Sequence, residues 1–440
     1  MASAEHNELM TRTNPGTAAG SLLRQYWQPV ALAEELDGPR PLKPVEIMGQ
    51  HLVLFRDEQG RLGLLDRDCP HRGADLAYGR IEDGGLRCLL HGWLFDVNGC
   101  CMQTPAEPEG SKLCSRIHQG AYPVVEKSGI IFAYLGQGEP PAFADFDCFV
   151  APGSHTFAFK GLWECNWLQA LEVGMDPAHA SFLHRFFEDE DVSESFGKQF
   201  RGASLGTDLP IAKVLREYER PEINVDATDY GLRLTTLRQL SPEQTHVRIT
   251  NVAFPNAFVI PMGPEMTITQ WHVPVDDHHS YWYSIFTSFS QPVDKEQMRE
   301  QRLKTIELPL YNSRKNKRNH YGYDIDEQRD QTYTGMGMDI NVHDQWACES
   351  MGSIQDRTRE HLGTTDKAIA AYRRMLIDAI DTVQTGQPLP ARPAAGQGGR
   401  LSGPPAVDGV TTADAAMQFC HSADRARRQQ CDWAAARLGD

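Results

Sequence analysis

Two short segments of the chain each pair a cysteine with a histidine: Cys69-Pro-His71 and Cys88-Leu-Leu-His91, with 16 residues between His71 and Cys88. Together they offer two thiolates and two imidazoles, each pair on its own loop. Four cysteines would suit a ferredoxin cluster, and a structural zinc can also use two cysteines and two histidines. The Cys-x-His and Cys-x-x-His spacings match a [2Fe–2S] centre in which one iron takes both thiolates and the other both imidazoles. Gly92 lets backbone amides approach the cluster sulfides, where they raise the reduction potential, and Asn98-Gly99 closes a hairpin behind the loop. The other cysteines show no ligand spacing.

A cluster of that kind moves electrons only, so an enzyme needs a second site at which they are used. His179 and His184 follow Asp176-Pro177 in an apolar stretch. Five residues apart, they would stand about 140° from each other on a regular α-helix. A local distortion, such as a π turn, is expected to bring them to one face. Asp176-Pro177 is suited to start the segment, with Asp as cap and Pro at the first position. Two imidazoles and a carboxylate with open positions form the facial triad of non-haem Fe(II) oxygenases. The carboxylate must come from far along the chain, and Asp344 and Asp356 compete for the place.

Elements that could position these groups are legible in outline. Residues 1–25 read as a polar, helix-prone lead-in. From Tyr26 the pattern turns to short β-like runs, Gln28-Pro-Val-Ala-Leu32, His51-Leu-Val-Leu-Phe55 and Leu62-Gly-Leu-Leu65, separated by turn signals at 57–60, 82–85 and 98–99. This β domain, 26–137, ends in the Pro/Gly-rich stretch Gly136-Gln-Gly-Glu-Pro-Pro-Ala-Phe143. A mixed domain, 138–385, follows: helical character at 162–187, strand-like alternation at 233–286, and helix again at 295–305 and 366–383. Residues 386–440 are expected to wrap the surface as coil, with a last short helix at 423–438. Fold class is therefore α+β, an N-terminal all-β domain and a C-terminal domain of helices around an antiparallel sheet.

Composition excludes other classes. The 440 residues carry a formal net charge of -16, with no Lys/Arg run able to neutralise a phosphate backbone, so nucleic acid is not an expected partner. The start, MASAEHNELMTRT, lacks a basic and apolar leader, and no window reaches the ~18 apolar residues of a spanning helix, so a cytoplasmic, membrane-free protein is expected. Ten cysteines in such a chain argue for metal ligation or buried thiols over a disulfide framework.

The segments Cys69-Pro-His-Arg-Gly-Ala-Asp-Leu76 and Cys88-Leu-Leu-His-Gly-Trp-Leu-Phe-Asp96 resemble the Rieske signatures of ring-hydroxylating oxygenase large subunits. The likeness runs over nearly the whole chain. Arg24-Gln-Tyr-Trp-Gln-Pro-Val-Ala-Leu32 and the long second domain are similar to the phthalate dioxygenase branch. It implies an all-β Rieske domain with its [2Fe–2S] cluster on Cys69, His71, Cys88 and His91, and a catalytic domain with mononuclear Fe(II) on His179 and His184. The iron-site pattern Asn-x₉-Asp-x-x-His-x₄-His is met at Asn166, Asp176, His179 and His184. In the family the carboxylate ligand opens a helix carrying an acid a few residues on, which selects Asp344 with Glu349, although His343 stands where a Gln is expected. Asp356, Arg357 and Glu360 read as charge pairing on a solvated face.

The resemblance further implies a terminal oxygenase fed by a separate flavin/iron–sulfur reductase, since nothing in the chain binds flavin or NAD. With O₂ it would convert an aromatic acid such as a phthalate to a dihydrodiol or phenol. An O-demethylating monooxygenase releasing formaldehyde uses the same metals, and a non-catalytic Rieske electron carrier is the alternative from another class. An acid beside the iron needs a cationic partner, and Arg233, Arg238 and Arg248 lie on the strands expected to line the pocket. Strand alternation allows only some to point inward. Trp271, Tyr281, Trp282 and Tyr283 read as core. A head-to-tail homotrimer would set each cluster beside its neighbour's iron, with the Asp176 carboxylate accepting the free N–H of His179 and bridging to His91 across the interface.

Overall fold

The computed structural model describes residues 3–188, 204–393, 401 and 403–435. Ser3 accepts from His6 N and starts the helix Ala4–Thr11, which a second helix, Ala18–Leu23, follows. Three small antiparallel sheets come next. Gln28–Leu32 pairs with Ile130–Ala133, and that with Val124–Lys127; Leu42–Ile47, Gln50–Arg56 and Leu62–Asp66 form a meander; Arg80–Glu82, Gly85–Arg87, Leu94–Phe95 and Cys101–Gln103 form another. The turn between Arg80–Glu82 and Gly85–Arg87 takes positive φ at both Asp83 and Gly84, the two-residue hairpin geometry that Asp-Gly favours.

The period of two along Gln50–Arg56 divides two cores. Leu52 and Leu54, with Leu64 opposite, belong to the main core, whereas Val53 and Phe55, with Leu65, belong to a smaller one that contains Cys69, Cys88 and Trp93. One strand with both faces apolar thus ties the cluster loops to the body of the protein. The main core is continuous from the first helices through the second half of the chain.

The second half is built on a ten-stranded sheet among the described residues. Glu222–Thr228, Gly231–Gln239, Thr245–Ala253, Ala257–Pro261, Met266–Pro274 and Ser280–Ser288 pair in sequence order, all antiparallel. Thr156–Trp163 joins the far side against Ser280–Ser288. The expected helical character at 162–187 is corrected by this strand: Leu162 and Trp163 are its last residues, and the helix itself is only Trp167–Gly174. Asn166 starts that helix, its side chain accepting from Leu168 N at 3.1 Å, and Pro177, which cannot donate into a continuing helix, lies just beyond its end. Gly161 lies under Trp282, whose indole is 2.5 Å from where a Cβ would be; a side chain there would displace the strand.

The C-terminal part is more than coil. Val407–Thr411 adds to the sheet edge-on, antiparallel to Thr245–Ala253, and the helix Ala416–Gln429 begins before the expected start at 423, with Asp432–Ala435 after it. The remainder of the expected last helix, to 438, lies outside the described residues. Lys367–Thr385 buries Ala368, Tyr372, Leu376, Ala379 and Ile380 at helical spacing and ends at Gly386 with φ 69°, a left-handed cap that glycine takes without strain.

Candidate metal centres and substrate cavity

The two cluster loops are folded alike. Cys69 O accepts from Gly73 N at 2.8 Å and Cys88 O from Gly92 N at 3.0 Å; Cys69 N donates to Ala74 O and Cys88 N to Trp93 O. Gly73 and Gly92 take φ of 74° and 72° to close these turns. The Gly92 amide itself closes its own loop. Both thiols are buried, and the His71 and His91 rings lie 4.4 Å apart, His71 stacked on Trp93 at 4.5 Å. Burial pushes the Cys69 thiol up to about 11, with Cys88 beside it adding to the shift. Two buried thiols next to a His91 Nδ1 with no hydrogen-bond partner among the described residues are groups that bound metal would satisfy. The donor set fits a Rieske cluster. Elsewhere in this domain Cys101 and Cys114 sit with their sulfurs 3.4 Å apart.

The second group is assembled from a turn and a helix. His179 Nε2 is 3.2 Å from His184 Nε2, and Asp344 Oδ1 is 3.2 Å from His184 Nε2 and 3.8 Å from His179 Nε2. Two imidazole lone pairs facing a carboxylate at these distances call for a shared cation, and this is the group among the described residues whose donors converge tightly enough for one. The expected distortion takes the form of a 3₁₀ turn, His179–Ser181, and not of a π turn; His179 O accepts from both Phe182 N and Leu183 N. Asp176 does not cap this turn, whose first flanking residue is Ala178; its Oδ1 accepts from Ala178 N at 2.8 Å, just before the turn begins. It is the Asp176 backbone carbonyl, 2.5 Å from His179 Nδ1, that accepts the ring N–H, while the carboxylate stands 3.9 Å away. The expected carboxylate contact is corrected accordingly. That bond places the His179 lone pair on Nε2, facing the other two donors.

Asp344 lies one turn inside Ile340–Ser350, not at its start; Asp339 is the cap, accepting from Asn341 N. Burial alone would raise its carboxyl, but the imidazoles of His184, His179 and His343 outweigh burial and hold it below the ordinary range. His343 is buried, with Nε2 2.8 Å from Gly337 O and Nδ1 3.5 Å from His184 Nδ1; burial pushes it down to about 4, so it meets His184 as a neutral ring. Glu349 is also buried, accepting from Glu164 N and Tyr321 Oη. Asp356 lies outside the group, accepting from Thr358. The expected solvated charge pairing is absent: Arg357 is fully buried against Glu172, and Glu360 pairs with Arg373.

A cavity of about 380 Å³ opens onto Asp176, His179, His184 and Asp344. Thr236, Arg238, Arg248, Thr250 and Gln270 line its sheet side, and all have even numbers on strands paired in antiparallel register, as one face requires. Arg233, of the other parity, is absent from the lining and pairs with Asp226 at 2.9 Å. Arg238 is 1% exposed, donating from Nε to Tyr218 O and from Nη2 to Pro177 O, while Nη1 has no partner among the described residues. Burial, and then the Arg248 charge, push its guanidinium down to about 10, so it stays cationic. Arg248 is neutralised by Asp408. Trp271, Tyr281, Trp282 and Tyr283 are outside the lining; Tyr281 and Tyr283 enclose the buried Lys160. The sequence reading missed Gln270, His272 and Asp408. The alternation of Met266–Pro274 was the available signal for Gln270 and His272; Asp408 had none.

Residues 26–123 match the Rieske [2Fe-2S] domain, and residues 133–397 match the family described as LigXa C-terminal domain like. The chain belongs to the Rieske oxygenases. It is 34% identical over 409 residues to the tert-butanol monooxygenase / tert-amyl alcohol desaturase oxygenase subunit of Aquincola tertiaricarbonis, covering 89% of this chain and 80% of the relative. To the phthalate 4,5-dioxygenase oxygenase subunit of Pseudomonas putida it is 32% identical over 410 residues, 88% of each chain. The structure of NdmA with caffeine from Pseudomonas putida CBB5 shares the fold with a TM-score of 0.56 at 17% identity, over 84% of this chain and 94% of that one. This Rieske oxygenase is thus an oxidoreductase of the mono- or dioxygenase class, a terminal oxygenase with a Rieske domain and a LigXa-like catalytic domain, and the non-catalytic carrier is excluded. No helix among its described residues is long and apolar enough to cross a membrane.

Proposed function

We propose that this Rieske oxygenase hydroxylates an aromatic carboxylate, held by Arg238 in the cavity beside His179, His184 and Asp344. The observation that carries the reading is the Arg238 guanidinium: buried, on a residue that lines the cavity, uncompensated by any carboxylate hydrogen bond, and with Nη1 without a hydrogen-bond partner among the described residues. Asp408 and Asp176 act on it only through space, so it lacks a hydrogen-bonded anion, and a substrate carboxylate would supply a charge-assisted bond. Arg248 contributes little charge, being paired, and Arg233 faces away.

In this reading Cys69, His71, Cys88 and His91 hold the cluster, and His179, His184 and Asp344 hold Fe(II). Iron so held keeps open positions for O₂ activation, with electrons supplied through the cluster from a separate reductase. The chain's own part is positional: Asp176 O fixes the His179 tautomer, Asp344 balances the charge, and Arg238 sets the substrate's approach. The cluster loop presents Leu89 and Leu90 at 61% and 54% exposure, an apolar tip suited to docking on the catalytic domain of a second copy in a head-to-tail trimer. The Asp176 carboxylate, not used on His179 and with Oδ1 accepting from Ala178 N, would reach His91 of that copy through Oδ2.

The test is reductase-coupled, substrate-dependent NADH consumption over phthalates, methoxybenzoates and biphenyl acids. Turnover of an acid, lost for its amide, supports the reading; turnover of neutral aromatics alone overturns it. Because the relative from Aquincola tertiaricarbonis is named a monooxygenase, an O-demethylating or other monooxygenase is the second reading, and release of formaldehyde in place of dihydrodiol selects it.

A further inference from the structure

Cys101 and Cys114 belong to neither donor set described above, and their sulfurs are 3.4 Å apart. The Cys114 thiol also lies 2.9 Å from the carbonyl oxygen of Cys101, so the second side chain rests on the backbone of the first. Sulfurs in a disulfide are about 2.05 Å apart, and a closure of roughly 1.4 Å, within reach of side-chain rotation, would make the bond. Both residues are half-buried beside the exposed Met102, Gln103, Ser115 and Arg116, so a small oxidant reaches them from solvent. Cys148, Cys165, Cys348 and Cys420 are buried.

The segment that the pair brackets lies on the second cluster loop. Gln103 Oε1 accepts from Arg87 Nη2 at 2.9 Å, and Arg87 Nη1 donates to Gly92 O at 2.7 Å. Pro105 Cγ is 2.9 Å from where a Cβ on Gly92 would be, so the proline ring covers the loop at that point. Cys101, Leu113 and Ile117 pack against the core that holds Cys69, Cys88 and Trp93. Between these anchors residues 105–112 are exposed, and backbone bonds there are local: Glu107 N donates to Thr104 O and Ser111 N to Pro108 O, both at 3.0 Å. A loop with exposed backbone and local bonds opens easily. A covalent link at its base limits that opening.

We propose that Cys101 and Cys114 are a redox modification site, oxidised by a low-molecular-weight disulfide to an intramolecular disulfide that fastens residues 102–113 over the cluster loop Cys88–Gly92. The Cys114 sulfur attacks the small disulfide, forming a mixed disulfide and releasing one small thiol. Cys101 then displaces the second small thiol as the Cys101–Cys114 bond forms. The two protein thiols give up two electrons and two protons, and one small disulfide becomes two small thiols. Burial and then the hydrogen bond from Cys114 push the Cys101 thiol up to about 12, which leaves the first attack to Cys114. Formation of the bond does not depend on which groups hold the cluster; its effect on the cluster rests on the reading of Cys88 and His91 as ligands.

The test treats the holoenzyme, its free thiols reduced, with oxidised glutathione, alkylates the thiols that remain and maps disulfides by mass spectrometry. A peptide linking Cys101 to Cys114 is expected, and a phosphine reductant should remove it. In the linked protein, amide hydrogen exchange over 104–113 and loss of cluster absorbance to an iron chelator should each slow about ten-fold, and both should recover on reduction. Cys114→Ser should keep the cluster spectrum and turnover and lose both responses to glutathione; Cys101→Ser serves if that variant does not fold. A glutathione adduct that stays on Cys114 overturns the site, as does a link through Cys100, whose thiol lies 3.9 Å from His118 Nε2. A Cys101–Cys114 link with unchanged exchange over 104–113 overturns the fastening. Slower exchange with unchanged cluster loss supports the fastening and counts against Cys88 and His91 as the ligands beneath it.

Discussion

Arg248 and Asp408 are register partners across the pairing of Thr245–Ala253 with Val407–Thr411, joined Nη1 to Oδ2 at 2.8 Å. Asp408 also meets His246 Nε2 at 3.1 Å and accepts from Ser204, and these charges and hydrogen bonds hold its carboxyl far below the ordinary range despite full burial. The C-terminal strand therefore pairs one of the two cavity arginines with a carboxylate and leaves the other, Arg238, without a carboxylate hydrogen bond.

Arg238→Gln should raise KM for an acid substrate by roughly 30-fold, about 2 kcal/mol, and leave KM for the corresponding amide nearly unchanged. Steady-state kinetics on the pair measures this. A similar loss for both would mean that Arg238 only braces Pro177 and Tyr218.

Arg248→Gln should act on stability more than on substrate. It leaves Asp408 buried with a weaker set of partners, at a cost of about 3 kcal/mol, read as a lower denaturation midpoint. An unaltered midpoint with a large KM effect would exchange the roles of the two arginines.

Asp344→Ala should remove the mononuclear iron and turnover while the visible and electron paramagnetic resonance spectra of the cluster persist; His71→Ala or His91→Ala should remove those spectra and turnover while leaving the mononuclear site able to take iron. Asp356→Ala, on an exposed turn, should do neither. Iron content and spectra of the purified variants decide.

Asp176→Asn retains the backbone carbonyl that holds His179 and a side-chain oxygen able to accept from Ala178 N. Both metals should stay bound, and turnover should fall by orders of magnitude if the carboxylate carries the contact between copies. Near-normal single-turnover electron transfer would rule that contact out.

Burial pushes His272 down to about 3 from an ordinary 6.5. The folded protein therefore binds fewer protons than the unfolded chain between these values. Its contribution to stability is complete above pH 6.5 and is lost as pH falls toward 3, on the order of 3 kcal/mol by pH 4. Denaturation midpoints between pH 4 and 7 should fall less steeply in His272→Gln; parallel curves would mean that His272 is already ionisable in the native protein.

Local spacing made the chemistry of this chain legible from its residues. Cys69, His71, Cys88 and His91 sit on short loops whose ligand geometry depends on a few neighbouring residues, and His179 and His184 are five apart, so these groups were visible without a fold. The large strands were visible too, because a period of two survives wherever one face is buried. What sequence left open was every relation between distant segments. The choice between Asp344 and Asp356 was carried by a family resemblance; the packing of Ile340–Ser350 against the His179 turn is what brings one of them within 3.2 Å of His184. Which arginines face the cavity depended on strand parity, and which of them is paired depended on Asp408, more than 150 residues beyond Arg248, in a segment whose Pro- and Gly-rich composition hid a strand that only its partner stabilises. The Asp176 carbonyl in place of its carboxylate, and His272 behind Gln270, 3.1 Å from its amide, follow from backbone direction and side-chain packing, which are set by the whole core rather than by neighbours in the chain.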